Sequence, residues 1–263
     1  MGKIALAYDH ISKKEKIQEL SAVLYADSFF YGLWDENAVL RKTGYHPMES
    51  LDGVLKLISY YHQTLSSINV VSTLKPYVHL LRKHRDNNYF NIYFDGIYDL
   101  ELLDQVMPTS DNFSHEKKVT LHYLPESVAT LLDNYKMDAK FAHLSTALAN
   151  YMHRTETDFI CYKSGRTIHF SVRKDGFAYY NQYDCFYSQD YIYFLMLIRQ
   201  AFFKSEVKVH ICGEIKNGDN ILKTIKKYFS DVTIIDAAVL LPKAVADNPS
   251  TFFDLYLCRT CVS

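Results

Sequence analysis

The chain is short of glycine and proline, with 9 and 6 among 263 residues, so few glycine-rich phosphate loops can exist in it. No charge of one sign dominates. Twenty-nine Lys and Arg stand against 30 Asp and Glu, a formal net charge of −1, which removes any global pull toward nucleic acid or an anionic membrane. Long hydrophobic runs are missing too. The longest, Tyr191 to Ile198, stops at Arg199, well under the ~18 residues a bilayer-crossing helix needs. Met1 to His10 lacks the apolar core and small-residue cleavage site of a signal peptide, which leads to the expectation of a cytoplasmic protein.

Cysteine is scarce and odd in number: Cys161, Cys185, Cys212, Cys258 and Cys261. Such scatter fits buried thiols in a reducing compartment better than a disulfide framework. Cys258-Arg259-Thr260-Cys261 is a CxxC pair at the extreme C-terminus. A thioredoxin-type site needs that pair where a strand meets a helix, and zinc needs two further ligands. The 11 His form no metal-spaced cluster, and no Gly-x-Ser-x-Gly elbow exists to place a serine nucleophile.

What is present is a globular composition. Hydrophobic residues make up 48% and charged residues 22%, which argues against disorder over most of the length. A chain of 263 residues suits two domains of roughly 100 to 150 residues each. Tyrosine is abundant at 22 and tryptophan single; tyrosine suits half-buried strand faces, where its ring packs and its hydroxyl reaches a partner.

Along the chain, Leu20 to Asp27, Ser28 to Asp35 and Ala38 to Tyr45 read as three short strands, with turn chemistry at Asp27-Ser28 and Asp35-Glu36-Asn37. Leu51, Val54, Leu55, Ile58 and Tyr61 recur at helical spacing. Ile68 to Leu74 is a strand, and Pro76 is placed to open a short helix through Leu81. Residues from His84 to His115 are polar and weakly patterned. Lys118 to Leu124 reads as a strand and Pro125-Glu126 as a helix start, before Val128, Leu131 and Leu132.

The second half repeats the plan. A helix is expected over Phe141 to Met152, then strands at Phe159 to Tyr162, Thr167 to Arg173 and Phe177 to Phe186. Turns fall at Lys163-Ser164-Gly165-Arg166 and Lys174-Asp175-Gly176. Ser188 and Asp190 offer caps for an apolar helix from Tyr191 to Phe203. Val207 to Cys212 and Val232 to Ile235 are strands about an amphipathic helix from Asn220 to Phe229. Apolar residues from Phe252 to Leu257 suggest a tail that packs back on the body.

Both halves thus read β-β-β-α-β-α-β, with Lys118 to Leu124 as the last strand of the first. Three antiparallel strands joined to two parallel ones by helical crossovers make a ribonuclease H-like unit. The expected class is α/β: two tandem ribonuclease H-like domains in the actin-like ATPase arrangement, each a mixed five-stranded sheet with helices. Residues 1–137 form the first, with an irregular insertion near 84–116, and 138–263 the second, with a C-terminal tail.

Asn181-Gln182-Tyr183-Asp184-Cys185-Phe186-Tyr187, followed by Asp190-Tyr191-Ile192-Tyr193-Phe194-Leu195, resembles a signature of the DUF3822 family. Gly213, Lys227-Tyr228 and the Asp27-Ser28-Phe29-Phe30 hairpin resemble further parts of it, with Ser28 where the family has Gly. The resemblance implies a Bacteroidetes protein with an actin-like fold and no established function.

An actin-like ATPase needs carboxylates at the first turn of each half to hold magnesium, and small residues there so that backbone N–H groups can approach phosphates. The first turn has Asp27 but runs on into Ser28-Phe29-Phe30. Asp27 is a magnesium ligand or, more simply, a turn cap. The second turn, Lys163-Ser164-Gly165-Arg166-Thr167, has two cations, a hydroxyl and a glycine but no acid; it is an anion nest or an ordinary solvated turn. Gly213 stands alone where an adenine-side glycine pair is expected. Asn181 and Asp190 flank a strand-to-helix corner, with Asp190 capping the helix and Asn181 fixing the turn, or both facing an interdomain cleft. The expected function is a non-catalytic binding or scaffold protein without a cofactor, its partner another protein or itself. The alternative is a divergent ATPase or kinase that takes Mg-ATP.

Overall fold

The computed structural model describes residues 8–9, 16–47, 58–61, 63–86, 89–95, 97–98, 106–112, 117–125, 128, 130, 139–175, 177–215, 218–236 and 252–262. Its strands are β1 (Tyr8–Asp9), β2 (Ile17–Leu24), β3 (Ser28–Asp35), β4 (Leu40–Pro47), β5 (Ser67–Ser72), β6 (Tyr77–Leu81) and β7 (Val106–Asn112). They continue with β8 (Lys118–Pro125), β9 (Ala139–His143), β10 (Phe159–Ser164), β11 (Thr167–Lys174), β12 (Phe177–Asp184), β13 (Val209–Gly213) and β14 (Val232–Ile234). The α-helices with both ends described are α1 (Leu144–Thr155), α2 (Ser188–Phe202), α3 (Asn220–Tyr228) and α4 (Phe253–Cys261).

Two larger sheets carry the architecture. One runs β1-β4-β3-β2-β5-β9 and the other β12-β11-β10-β13-β14. In both, the first long strand pairs antiparallel with the next and parallel with a later one: β2 with β3 and β5, β10 with β11 and β13.

The pleat explains which residues go where, because alternate side chains leave opposite faces of a strand. From β3, Phe30 and Trp34 enter a core between the sheets, while Phe29, Tyr31 and Leu33 enter a second cluster on the far face with Ile58 and Leu65. From β10, Ile160 and Tyr162 enter the same central core, while Phe159 and Cys161 pack toward α2 and α3 with Leu195, Ile198, Leu222 and Ile225. The central core is filled by α1 and α4. Every residue of α1 from Leu144 to Met152 is buried, the pattern of a helix enclosed on all sides. Tyr151 of α1 meets Phe253 of α4 edge to face, ring centroids 5.0 Å apart. The far end of α4 is fixed by Arg259, which reaches Glu19 at 3.3 Å and lies over the Trp34 ring. The apolar C-terminal segment therefore packs back as expected, as a helix inside the core.

Three expectations need correction. Lys118–Pro125 is not the last strand of the first sheet. As β8 it is the centre of a separate three-stranded sheet, β6-β8-β7, and β9 pairs with β5 instead. The expected helix over Phe141 to Met152 begins only at Leu144, and Ala139–His143 before it is β9, paired with β5. The sequence 139–143 is short, and only pairing with β5 makes it a strand. Finally, Pro76 opens no helix. Tyr77–Leu81 is β6, paired antiparallel with β8; a proline with no N–H to offer suits a strand start as well as a helix start, and the partner strand decides. This three-stranded sheet has its own cluster of Phe94, Val119, Leu121 and Tyr123. It docks on the edge of β12: Tyr77 Oη donates to Asn181 Oδ1 at 3.2 Å and Lys118 Nζ to the Ala178 carbonyl at 3.3 Å.

Ile58 is buried and residues 58–61 are helical, while Leu51, Val54 and Leu55 lie outside the described residues. Val128 and Thr130 are helical, and Leu131 and Leu132 lie outside them, as does Gly176 of the Lys174-Asp175-Gly176 turn.

Candidate functional site

The carboxyl ends of β2, β5 and β10 converge on one side of the molecule, the place where α/β sheets offer ligand crevices. A cleft of about 390 Å³ opens there. Its lining comes from both sheets: Tyr25, Ala26 and Asp27 after β2, Thr73 and Lys75 after β5, and Ser164 to Thr167 where β10 turns into β11, with His169, Gln182 and Asp184 behind. Two hairpin turns face each other across it. Five residues singled out in the sequence, Asp27, Ser164, Gly165, Arg166 and Thr167, are brought together here.

The first turn is closed by its own backbone: Tyr25 N donates to Ser28 O at 2.8 Å, and Ser28 N to Tyr25 O at 3.4 Å. Asp27 is exposed, and its Oδ1 accepts from Ser28 Oγ at 2.8 Å. Thr73 is pinned against β2, its N and Oγ1 both donating to Leu24 O at 3.0 and 2.9 Å.

Beneath the cleft lies a tie between the sheets. Tyr25, at the end of β2, and Tyr162, near the end of β10, both donate to Oδ2 of Asp254 on α4. The Tyr162 bond is 3.0 Å, and the two hydroxyl oxygens are 2.6 Å apart. Each tyrosine has one proton to give, so when both protons go to the carboxylate, the short oxygen–oxygen approach follows from the shared acceptor. Asp254 is fully buried, and its Oδ1 accepts from Leu255 N at 2.8 Å. Burial and the adjacent Asp254 carboxylate hold both hydroxyls well above the ordinary tyrosine value, so they stay protonated donors.

The second turn is held by side chains from elsewhere. Gly165 has φ +55°, and its N–H donates to Glu214 Oε2 at 2.8 Å. Its carbonyl accepts from Lys163 Nζ at 3.0 Å and from Tyr191 Oη at 3.1 Å. Burial pushes Tyr191 up to about 12, which keeps its proton in place. Thr167 Oγ1 donates to Asp184 Oδ1 at 3.0 Å, and Lys75 Nζ reaches Asp184 at 3.9 Å, bridging the mouth from the first sheet to the second.

Lys163 and Gly213 do not line the cleft. Gly213, with φ +89°, lies against β10, where a Cβ would stand 2.1 Å from the Lys163 carbonyl oxygen. Asp190 caps α2 as expected, Oδ2 accepting from the Phe186 and Tyr187 N–H groups at 2.8 and 2.9 Å. Asn181 does not fix the corner: it sits within β12 and bridges Tyr77 and Tyr183, the latter at 3.1 Å. Sequence reasoning missed Tyr25, Tyr162, Asp254 and Glu214. Asp254 carried one readable signal, a lone acid inside the apolar run Phe252 to Leu257. Cys258 is buried and its Sγ donates to Ala22 O at 3.1 Å, a packing position. Among the described residues, no group of three or more His, Cys, Asp or Glu is arranged to hold a metal ion.

These features meet a class and then a family. The fold matches a Bacteroides thetaiotaomicron protein with an actin-like ATPase fold and unknown function, at TM-score 0.72 and 17% identity over 94% of this chain and 97% of that one. It is also similar to the cytoplasmic domain of EpsL, an inner membrane component of the Vibrio cholerae type II secretion system. There the TM-score is 0.53 at 10% identity, over 92% and 93% of the two chains. A chain of the PilM–PilN type IV pilus biogenesis complex matches at TM-score 0.55 and 9% identity, over 94% and 99%. The fold is therefore that of the actin-like ATPases. Residues 56–232 match DUF3822, a family described as protein of unknown function, and the chain belongs to that family. No curated protein matches. Among the described residues, no helix is long and apolar enough to cross a membrane.

Proposed function

We propose that this chain is two tandem ribonuclease H-like units, divided after β9, and that it works by binding a protein partner rather than by turning over ATP. The repeated strand order of the two larger sheets supports the tandem reading. The observation that carries the functional reading is the Tyr25–Asp254–Tyr162 tie. It joins the ends of β2 and β10 under the floor of the cleft, where an ATPase of this fold must let its two halves move about a magnesium–triphosphate.

The residues present fit that ligand poorly. Of the two facing turns only the first offers a carboxylate, Asp27, and the second presents Arg166. In the second turn the Gly165 N–H, the donor best suited to a phosphate, is already given to Glu214. Likeness to a chain of the PilM–PilN complex is consistent with a partner-binding role on this fold, and the buried thiols suit a cytoplasmic setting. The partner is another protein or a second copy of the chain.

The test is a melting-temperature titration with ATP, ADP and AMP, each with and without magnesium. A ligand that binds the native state raises the melting temperature with concentration. A flat response is expected. A saturable, magnesium-dependent rise, together with ATP turnover lost in a folded Asp27→Ala variant, overturns the reading. That outcome establishes the alternative, a divergent ATPase or kinase, which the convergence of Asp27, Gly165 and Arg166 on one cleft favours.

A further inference from the structure

We propose that Glu214 is a resident anion of the second turn, its carboxylate filling the place that a small phosphate-class oxyanion takes once that carboxylate is removed. The inference rests on the reading above, that the cleft of the native protein takes no nucleotide, and adds the group that occupies the Gly165 N–H.

The backbone delivers Glu214 to this position. β13 runs past β10 so closely that only glycine fits at 213, and φ +89° turns the chain sharply there. Ile215 N donates to Gly213 O at 2.8 Å, closing a three-residue turn, and Glu214 N donates to Lys163 O at 2.9 Å. The main chain of Glu214 is thereby strapped to the base of the turn, and its side chain meets the Gly165 N–H at 2.8 Å. Glycine at 213 thus has a purpose different from an adenine contact: it aims a carboxylate at the turn.

The environment is that of an anion site. The accepted N–H belongs to a left-handed glycine between Ser164 and Arg166, and such oriented N–H groups favour negative charge. Glu214 Oε1, by contrast, is buried with no hydrogen-bond partner among the described residues. A residue placed only to brace a turn would leave no buried acceptor unmatched, since that costs stability. A carboxylate that accepts the Gly165 N–H with one oxygen and leaves the other over is what an occupant in place of a ligand looks like. Ser164, Arg166 and Thr167 open from the same turn onto the cleft, so a freed Gly165 N–H has polar company there.

The experiment titrates inorganic phosphate and pyrophosphate into the wild type, Glu214→Gln and Glu214→Ala, read by melting temperature and calorimetry. Wild type and Glu214→Gln, whose amide oxygen can still accept from Gly165, are expected to show no saturable binding. Glu214→Ala is expected to bind at least tenfold more tightly than either, and Glu214→Ala with Arg166→Ala to lose the gain. Glu214→Ser, too short to reach Gly165, serves equally if the alanine variant does not melt cooperatively. A folded Glu214→Ala or Glu214→Ser that gains nothing, or a wild type that binds phosphate as tightly as they do, overturns the inference. Failure here with a wild type silent to ATP leaves the binding-protein reading standing, whereas magnesium-dependent ATP binding by the wild type removes that reading first.

Discussion

The two turns that face each other across the cleft occupy equivalent places in their sheets, yet they are built by different means. Residues 25–28 close through their own backbone and need no glycine. Residues 163–167 need a left-handed glycine and borrow Glu214, Tyr191 and Asp184 from three other segments. The first turn is a local object, set by neighbours in sequence. The second is a tertiary object, whose shape depends on strands and helices reaching it from up to 49 residues away. Beneath both, the matched tyrosines Tyr25 and Tyr162 are tied to one acid from the far end of the chain.

The largest expected effect tests that asymmetry directly. Gly213→Ala forces a Cβ into the Lys163 carbonyl and a left-handed alanine, so about 3–5 kcal/mol of stability should be lost from strain and overpacking together. Ala26→Gly, in the exposed first turn, should cost about 1 kcal/mol or less, through the unfolded chain alone. Chemical denaturation of the two variants measures both; equal losses break the comparison.

Next come the tyrosines. Tyr25→Phe and Tyr162→Phe should each cost about 1.5–3 kcal/mol, the range for a hydrogen bond to a buried charge. Because they share Asp254, the double variant should depart from the sum by about 0.5 kcal/mol or more in a double-mutant cycle. Strict additivity would mean that the two halves are tied independently.

Acid should weaken the fold as a whole. Burial, with a smaller contribution from Lys75, holds His169 down to about 3. Burial also holds His143 well below 6.5, reinforced by His122, His79 and His169. Partly buried His46 and His210 are pushed the same way. A histidine whose folded value is depressed takes up its proton more readily unfolded. Stability is therefore intact above about pH 6.5 and falls as pH drops below it, by about 1.4 kcal/mol per pH unit for each fully buried histidine. Melting temperatures from pH 7 to pH 5 should decline, and His169→Gln should flatten that slope.

The smallest effect belongs to the exposed bridge across the mouth. Lys75→Ala should change stability by about 0.5 kcal/mol or less, because both partners are solvated and salt screens them. A larger loss would show that this pair, rather than Asp254, holds the cleft at its present width.

Much of this was legible beforehand. The strands read at Ser28 to Asp35, Phe159 to Tyr162 and Thr167 to Arg173 follow from apolar runs, alternation in the last, and turn residues, which are local properties. Asp190 was legible as a cap for the same reason. The segment 139–143 was not, because its strand character comes from lying beside β5, and no alternation marks it. Tyr77–Leu81 misled in the same way, since its proline allows two structures and β8 selects one.

The sequence by itself determined that the chain would be an α/β protein with turns at Asp27 and at Lys163 to Thr167, since backbone preference and side-chain periodicity act over a few residues. Only the tertiary structure decided that these turns meet, that Gly165 spends its N–H on Glu214, and that Asp254 joins Tyr25 to Tyr162. Those contacts link positions up to 229 residues apart. A buried carboxylate chooses its donors by where the packed core leaves them, which no local pattern encodes.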